Sequence, residues 1–175
     1  QSVAQVQYIL EHSGAQIVFV DGEKELNTVV EATKNLPSVQ TIVPWTSNLM
    51  DAPIDDRMVG PDVFETHPVN DDEISRRLAA IDPDVAAIFV YTSGTTGPPK
   101  CSIISQANIL AVLSHQHDFL VFYQDDISLS FLPMAHVAER VLAFYGRISS
   151  GIATAYASSI GAVLPELQEV RPTIF

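Results

Sequence analysis

The chain has 175 residues, 47% of them hydrophobic, and a formal net charge of −12 from 21 acidic and 9 basic residues. That length suits one compact domain able to bury about 70% of its unfolded surface, and so few cations argue against a nucleic-acid partner, because nothing would replace the counterions of a phosphate backbone. A single cysteine, Cys101, excludes an intrachain disulfide, and no apolar run approaches the ~20 residues of a membrane-spanning helix.

Val3, Val6 and Leu10 recur at helical spacing and Ser13-Gly14 supplies a stop, which predicts a first helix. Residues 16–20 read as a strand, Asp21-Gly22 as a turn, 23–35 as a helix and 39–45 as a second strand. Residues 46–71, rich in Pro, Asp, Asn and Gly, read as a long surface excursion. Asp71-Asp72-Glu73 opens a helix at 72–80, a start that suits acids and favours a solvated cluster over a metal site. The apolar run 85–90 reads as a buried strand ending near 92. Ser105 is the expected N-cap of a helix whose buried face carries Ile109, Val112, Leu113 and Leu120. On that helix His115 and His117 are two apart, which turns the imidazoles away from each other and against metal binding. Residues 126–132 read as a strand, 135–147 as a helix with Val137, Val141 and Phe144 on one stripe, and 153–157 as a strand. Val163, Leu164, Leu167 and Val170 mark a last helix, which tolerates Pro165 only in its first turn. Strands alternating with helices predict an α/β fold: a layered, mostly parallel sheet with helices on both faces and ligands beyond the carboxyl ends of its strands.

Residues 91–100 read Tyr-Thr-Ser-Gly-Thr-Thr-Gly-Pro-Pro-Lys and follow the most apolar predicted strand. Glycines that free backbone N–H groups, hydroxyl donors and one cation are what a phosphate group needs. Lys100 is the only Lys or Arg between Arg77 and Arg140, so in an acidic chain it is poorly explained as solvation. The glycines are too close for a Walker A loop, two prolines precede the lysine, and Cys101 stands where that motif has Ser or Thr. A Mg²⁺-binding hydroxyl therefore has to come from elsewhere, and Thr95 or Thr96 can supply it. Cys101 itself reads as a small packed residue rather than a nucleophile.

A second constellation, Phe131-Leu132-Pro133-Met134-Ala135-His136-Val137-Ala138-Glu139-Arg140, sits at another strand-to-helix transition. Its chemistry leaves two readings open: His136 lines a substrate pocket or holds a carboxylate, or it caps the helix while Glu139 and Arg140 are solvated or tied to other helices.

Residues 91–100 resemble the phosphate-binding signature of the adenylate-forming enzymes, the superfamily of acyl-CoA synthetases, adenylation domains and luciferases. Leu132-Pro133-Met134-Ala135-His136-Val137-Ala138-Glu139-Arg140 resembles the next signature of the long-chain fatty acyl-CoA synthetase branch. Gln5-Val6-Gln7-Tyr8-Ile9-Leu10-Glu11-His12-Ser13, Val18-Phe19-Val20 and Arg171-Pro172-Thr173-Ile174-Phe175 extend the similarity along nearly the whole chain.

The resemblance implies ATP-dependent activation of a fatty acid to acyl-adenylate, then transfer to coenzyme A, with Mg²⁺ as cofactor. Thr92, Ser93, Gly94, Thr95, Thr96, Gly97 and Lys100 would cradle the β- and γ-phosphates, Thr95 or Thr96 would help hold Mg²⁺, and His136 would lie by the acyl carboxylate or the mouth of the acyl tunnel. Arg140 would brace its helix. The family usually has glycine after the lysine; Cys101 there would cost roughly 1 kcal/mol if the position needed a positive φ. Nothing resembles the family's later adenine, ribose and magnesium-carboxylate stretches or its small C-terminal domain. The chain is therefore expected to be part of the large N-terminal domain, cut at both ends and not competent in ligation alone. Its expected setting is cytoplasmic or peripheral on the cytoplasmic face of a membrane, and cut edges invite association of copies. Two alternatives stay open: a non-catalytic nucleotide- or lipid-binding module, and acyl transfer to a carrier protein.

Overall fold

The computed structural model describes residues 1–51, 53–66, 68–92 and 98–175, with the backbone alone at Ser47 and His117. The chain forms two compact units, one of Gln1–Ile81 with Thr92–Lys100, the other of Asp82–Tyr91 with Cys101–Phe175.

The first unit opens with helix α1 (Val3–Ser13), fixed at its start by a capping box: the Ser2 hydroxyl accepts from the Gln5 N–H, and the Gln5 side chain accepts from the Ser2 N–H. Gly14 ends it at φ 64°, a left-handed conformation that side chains resist. Strand β1 (Ile17–Val20), helix α2 (Glu23–Ala32) and strand β2 (Thr41–Pro44) form a βαβ unit with β1 and β2 parallel, Ile17 opposite Thr41 and Val20 opposite Pro44. Helix α2 turns Leu26, Val29 and Ala32 inward at helical spacing, onto a core with Leu10, Val20, Val39 and Ile42. Each buried Leu, Val or Ile side chain contributes roughly 1.5–3 kcal/mol.

Residues 46–71 are more than a surface excursion. Met58 is buried in that core, and it pairs with Ile42 in an isolated parallel bridge. Arg57 grips both Asp55 carboxylate oxygens (2.8 and 2.7 Å) and the Thr33 hydroxyl (2.8 Å). The hydrogen bonds from Arg57 hold the Asp55 carboxyl below its ordinary range. Short helix α3 (Asp62–Thr66) follows, and Asn70 then caps α4 (Asp71–Ala79) by accepting from the Glu73 N–H. Glu73 accepts from Arg76 and Arg77, which accounts for the acidic cluster as a helix start with its own counter-charges.

Strand β3 (Ala86–Thr92) pairs with strand β4 (Lys100–Ser105), both belonging to the second unit except for Thr92 and Lys100. The predicted burial of the apolar run is not met: Val90 is buried, but Val85 is 53% and Phe89 40% exposed. A two-stranded sheet leaves most of a face uncovered. Ser105 caps α5 (Gln106–Phe119) as expected, in a capping box with Asn108. Ile109 is buried there and Val112 and Leu113 are half-buried, whereas Leu120 lies beyond the helix and is exposed. Strand β5 (Ile127–Ser130) pairs in parallel with β6 (Ala153–Tyr156), Ile127 opposite Ala153 and Ser130 opposite Tyr156. Their connection is a segment wound as a π-helix, Ala138–Tyr145, running into helix α6 (Gly146–Ser150). Helix α7 (Val163–Val170) holds Pro165 in its first turn, and Ile174 pairs with Ser128 in an isolated parallel bridge. The α/β class and the parallel pairing thus match the sequence reading. Among the described residues the strands form three separate two-stranded sheets.

Candidate functional site

The two constellations fall in different units and are built differently. In the first unit, Thr92 closes strand β3 and Lys100 opens β4, so the glycine- and threonine-rich loop leaves the carboxyl end of a strand. Ser93, Gly94, Thr95, Thr96 and Gly97, the remaining predicted phosphate and Mg²⁺ contacts, lie outside the described residues. Lys100 is exposed and has no carboxylate partner among the described residues. An ammonium kept clear of acids in a chain of net charge −12 is available to an anion. Nor do the described residues hold a cluster of three or more His, Cys, Asp or Glu side chains able to take a metal ion. A Mg²⁺ ion at this loop would lean on hydroxyl and phosphate oxygens, hard donors of the kind it prefers.

Cys101 is the second residue of β4, half-buried, and its φ is not positive: Arg171 is the one described non-glycine residue in the left-handed region. The strain that cysteine would bring to a glycine-only conformation is therefore absent.

In the second unit, Pro133 ends the extended chain and a tight turn presents His136. Its N–H donates to the Pro133 carbonyl (2.8 Å), and its Nδ1 accepts from the Ala138 N–H (3.2 Å). An accepting Nδ1 puts the neutral ring's proton on Nε2, and the residue is exposed. One nitrogen of His136 thus caps the helical segment, the second of the two readings its sequence left open. Arg140 donates from Nε to the Met134 carbonyl (3.2 Å), which ties the start of the helical segment to the turn before it.

Glu139 is not solvated. It is 3% exposed, and its Oε1 accepts from the Ser130 hydroxyl (2.6 Å) and from Arg147 Nη1 (2.6 Å). Neither partner was legible in sequence: Arg147 is eight residues on and Ser130 lies in the preceding strand. A carboxylate inside an apolar stripe was the available signal, since such a group goes inside only when paired. The π winding matters here, because its i→i+5 pattern breaks the 3.6-residue stripe. Val141 lies in the π segment and is buried, whereas Val137 stands at its N-cap and is 47% exposed.

Behind this helix lies a cavity of about 460 Å³, lined mainly by apolar side chains from α5, β5, the π segment and Ile174-Phe175. Gln116 of α5 donates from Nε2 to the Leu142 carbonyl (3.2 Å), and a Cβ at Gly146 would sit 2.9 Å from Gln116 Oε1, so a side chain there would make the Gln116 amide shift. Among the described residues no helix is long and apolar enough to cross a membrane.

The profile of the AMP-binding enzyme family matches residues 1–175. Long chain acyl-CoA synthetase 6, peroxisomal, of Arabidopsis thaliana is 29% identical over 175 residues, covering 97% of this chain and 24% of its own length. Long-chain-fatty-acid–CoA ligase FadD15 of Mycobacterium tuberculosis is 28% identical over 183 residues, covering 99% of this chain and 28% of its own length. The chain thus spans about a quarter of the length of these relatives. The anthranilate CoA ligase AuaEII, solved in complex with anthranoyl-AMP, superposes with a TM-score of 0.76 at 17% identity over 100% of this chain and 33% of its own, a likeness of fold.

Proposed function

The chain belongs to the AMP-binding enzyme family, and from that premise we propose that the protein carrying it activates a long-chain fatty acid with ATP and passes the acyl group to coenzyme A. The observation that carries the reading is the pairing of two signatures: residues 91–100 between β3 and β4, and residues 132–140 at the end of β5, in a chain whose relatives above are named as long-chain acyl-CoA synthetases and ligases.

The chemistry runs in two steps. A fatty-acid carboxylate oxygen attacks the α-phosphorus of ATP; the bond to the β-phosphate breaks, and pyrophosphate leaves with its electron pair. The coenzyme A sulfur then attacks the acyl carbon, AMP leaves, and the thiol proton passes to solvent. Both reactants of the first step are anions, so the protein has to neutralise charge and align more than move protons. Thr92, Ser93, Gly94, Thr95, Thr96, Gly97 and Lys100 take the β- and γ-phosphates, Lys100 by a point charge that grows in value as pyrophosphate departs. Thr95 or Thr96 assists Mg²⁺, which neutralises phosphate charge when bound. The His136 Nε2–H is set to donate to the acyl carboxylate. We also place these 175 residues in the family's N-terminal domain; other parts of the protein would complete the adenosine site.

The test is product formation by the full-length protein with ATP, a long-chain acid and either coenzyme A or an acyl carrier protein. Acyl-CoA with stoichiometric AMP supports the reading. Acylated carrier protein without acyl-CoA would move the acceptor, and binding of MgATP with no acid-dependent turnover would make the protein a binding module.

A further inference from the structure

We propose that Ser130, Glu139 and Arg147 act together as a positioning clamp for the His136 imidazole, a role that rests on the reading of His136 beside the acyl carboxylate. Ser130 ends β5, and its carbonyl accepts from the Ala157 N–H at 2.8 Å, so its backbone is fixed to the sheet. Glu139 stands in the first turn of the π segment. The 2.6 Å bond between the Ser130 hydroxyl and Glu139 Oε1 joins residues nine apart and closes the loop 131–138 that carries His136. Arg147, from the following helix, donates to the same oxygen at 2.6 Å. Within the loop, the bonds of His136 to Pro133 and Ala138 and of Arg140 to Met134 fix the ring relative to its own segment. The clamp fixes that segment to the strand.

A charged group is the costly choice for mere cohesion, because well-packed apolar residues often replace a buried ion pair without loss. What the charge supplies is direction. A hydrogen bond to an ionised acceptor is about twice as strong as a neutral one and tightly defined in length. With Glu139 only 3% exposed, water has little room to substitute for either donor.

Ser130→Ala removes the hydroxyl and leaves the Glu139–Arg147 pair in place. The experiment compares Ser130→Ala, His136→Ala and the double variant of the full-length protein. It measures acid-dependent ATP–pyrophosphate exchange, and the NMR signal of the His136 ring in histidine-labelled protein. Ser130→Ala is expected to raise KM for the acid about fivefold, the equivalent of one lost hydrogen bond, with KM for ATP unchanged. It should also shift or broaden the ring signal, and add nothing to His136→Ala. Ser130→Thr, which restores a hydroxyl, should return both readouts toward wild type. An equal further loss in the His136→Ala background, or wild-type KM with an unmoved ring signal, overturns the clamp. Should His136→Ala itself leave exchange unchanged, the placement of His136 beside the carboxylate falls. The ring signal then still decides the clamp: displaced by Ser130→Ala it stands, unmoved it fails.

Discussion

Replacing Arg147 by methionine should destabilise the protein far more than a typical surface change. The side chains of Arg147 and Glu139 are 13% and 3% exposed, so deleting the arginine strands the more deeply buried charge. Breaking such a pair from one side costs about 3–5 kcal/mol. The Ser130 hydroxyl still donates to the carboxylate, a bond to a charged group worth about 1.5–3 kcal/mol, which holds the loss to about 3 kcal/mol. With a urea m-value of about 2 kcal/mol/M, the midpoint falls by about 1.5 M. Equilibrium urea unfolding followed by circular dichroism measures it. The double variant Glu139→Leu/Arg147→Met removes both charges and should regain at least ~2 kcal/mol of the loss, because the penalty lies in the orphaned charge rather than in the missing attraction. An Arg147→Met protein within about 0.5 kcal/mol of wild type would refute the reasoning, since that is the range of substitutions that touch nothing buried.

Glu73 should titrate at about 2 rather than in the ordinary range near 4.5, because Arg76 first and Arg77 second hydrogen-bond its carboxylate. A carboxyl with a lowered folded pKa contributes stability that is full above the ordinary range and is lost as pH falls from there through about 2. Carboxyl-carbon NMR should therefore show Arg76→Ala moving the Glu73 midpoint upward, and high salt moving it the same way, as screening of an exposed pair requires. Cys101→Gly, the residue usual in the family, should not stabilise this chain. Cys101 is in strand β4 at no positive φ, so glycine should cost about 0.5–1 kcal/mol through backbone entropy, read as a lower thermal midpoint.

The legible parts of the fold were those written in local periodicity and caps. Val3, Val6 and Leu10 gave α1, Ser105 gave the start of α5, and Pro165 sat where only a first turn admits it. The place of the glycine- and threonine-rich loop after a strand was legible from the apolar run before it, and Thr92 and Lys100 do stand at strand ends. Strand β4 was missed because Cys101-Ser102-Ile103-Ile104 is too short to separate from the loop before it and the cap after it. Met58 was missed because a single apolar residue in a polar stretch has no period; its place is set by a bridge to Ile42, sixteen residues earlier. The partners of Glu139 were missed for the same reason, compounded by π winding that moves residues off the α-helical stripe.

The most direct test of the central claim is fatty-acid-dependent exchange of pyrophosphate into ATP by the full-length protein, with Lys100→Ala beside it. Exchange that requires a long-chain acid, and falls at least tenfold in Lys100→Ala, an effect above about 1.4 kcal/mol on the transition state, is the predicted result. Exchange that proceeds equally well without the lysine would remove the loop from the chemistry. No exchange with any acid, in folded protein that binds MgATP, would contradict adenylation itself.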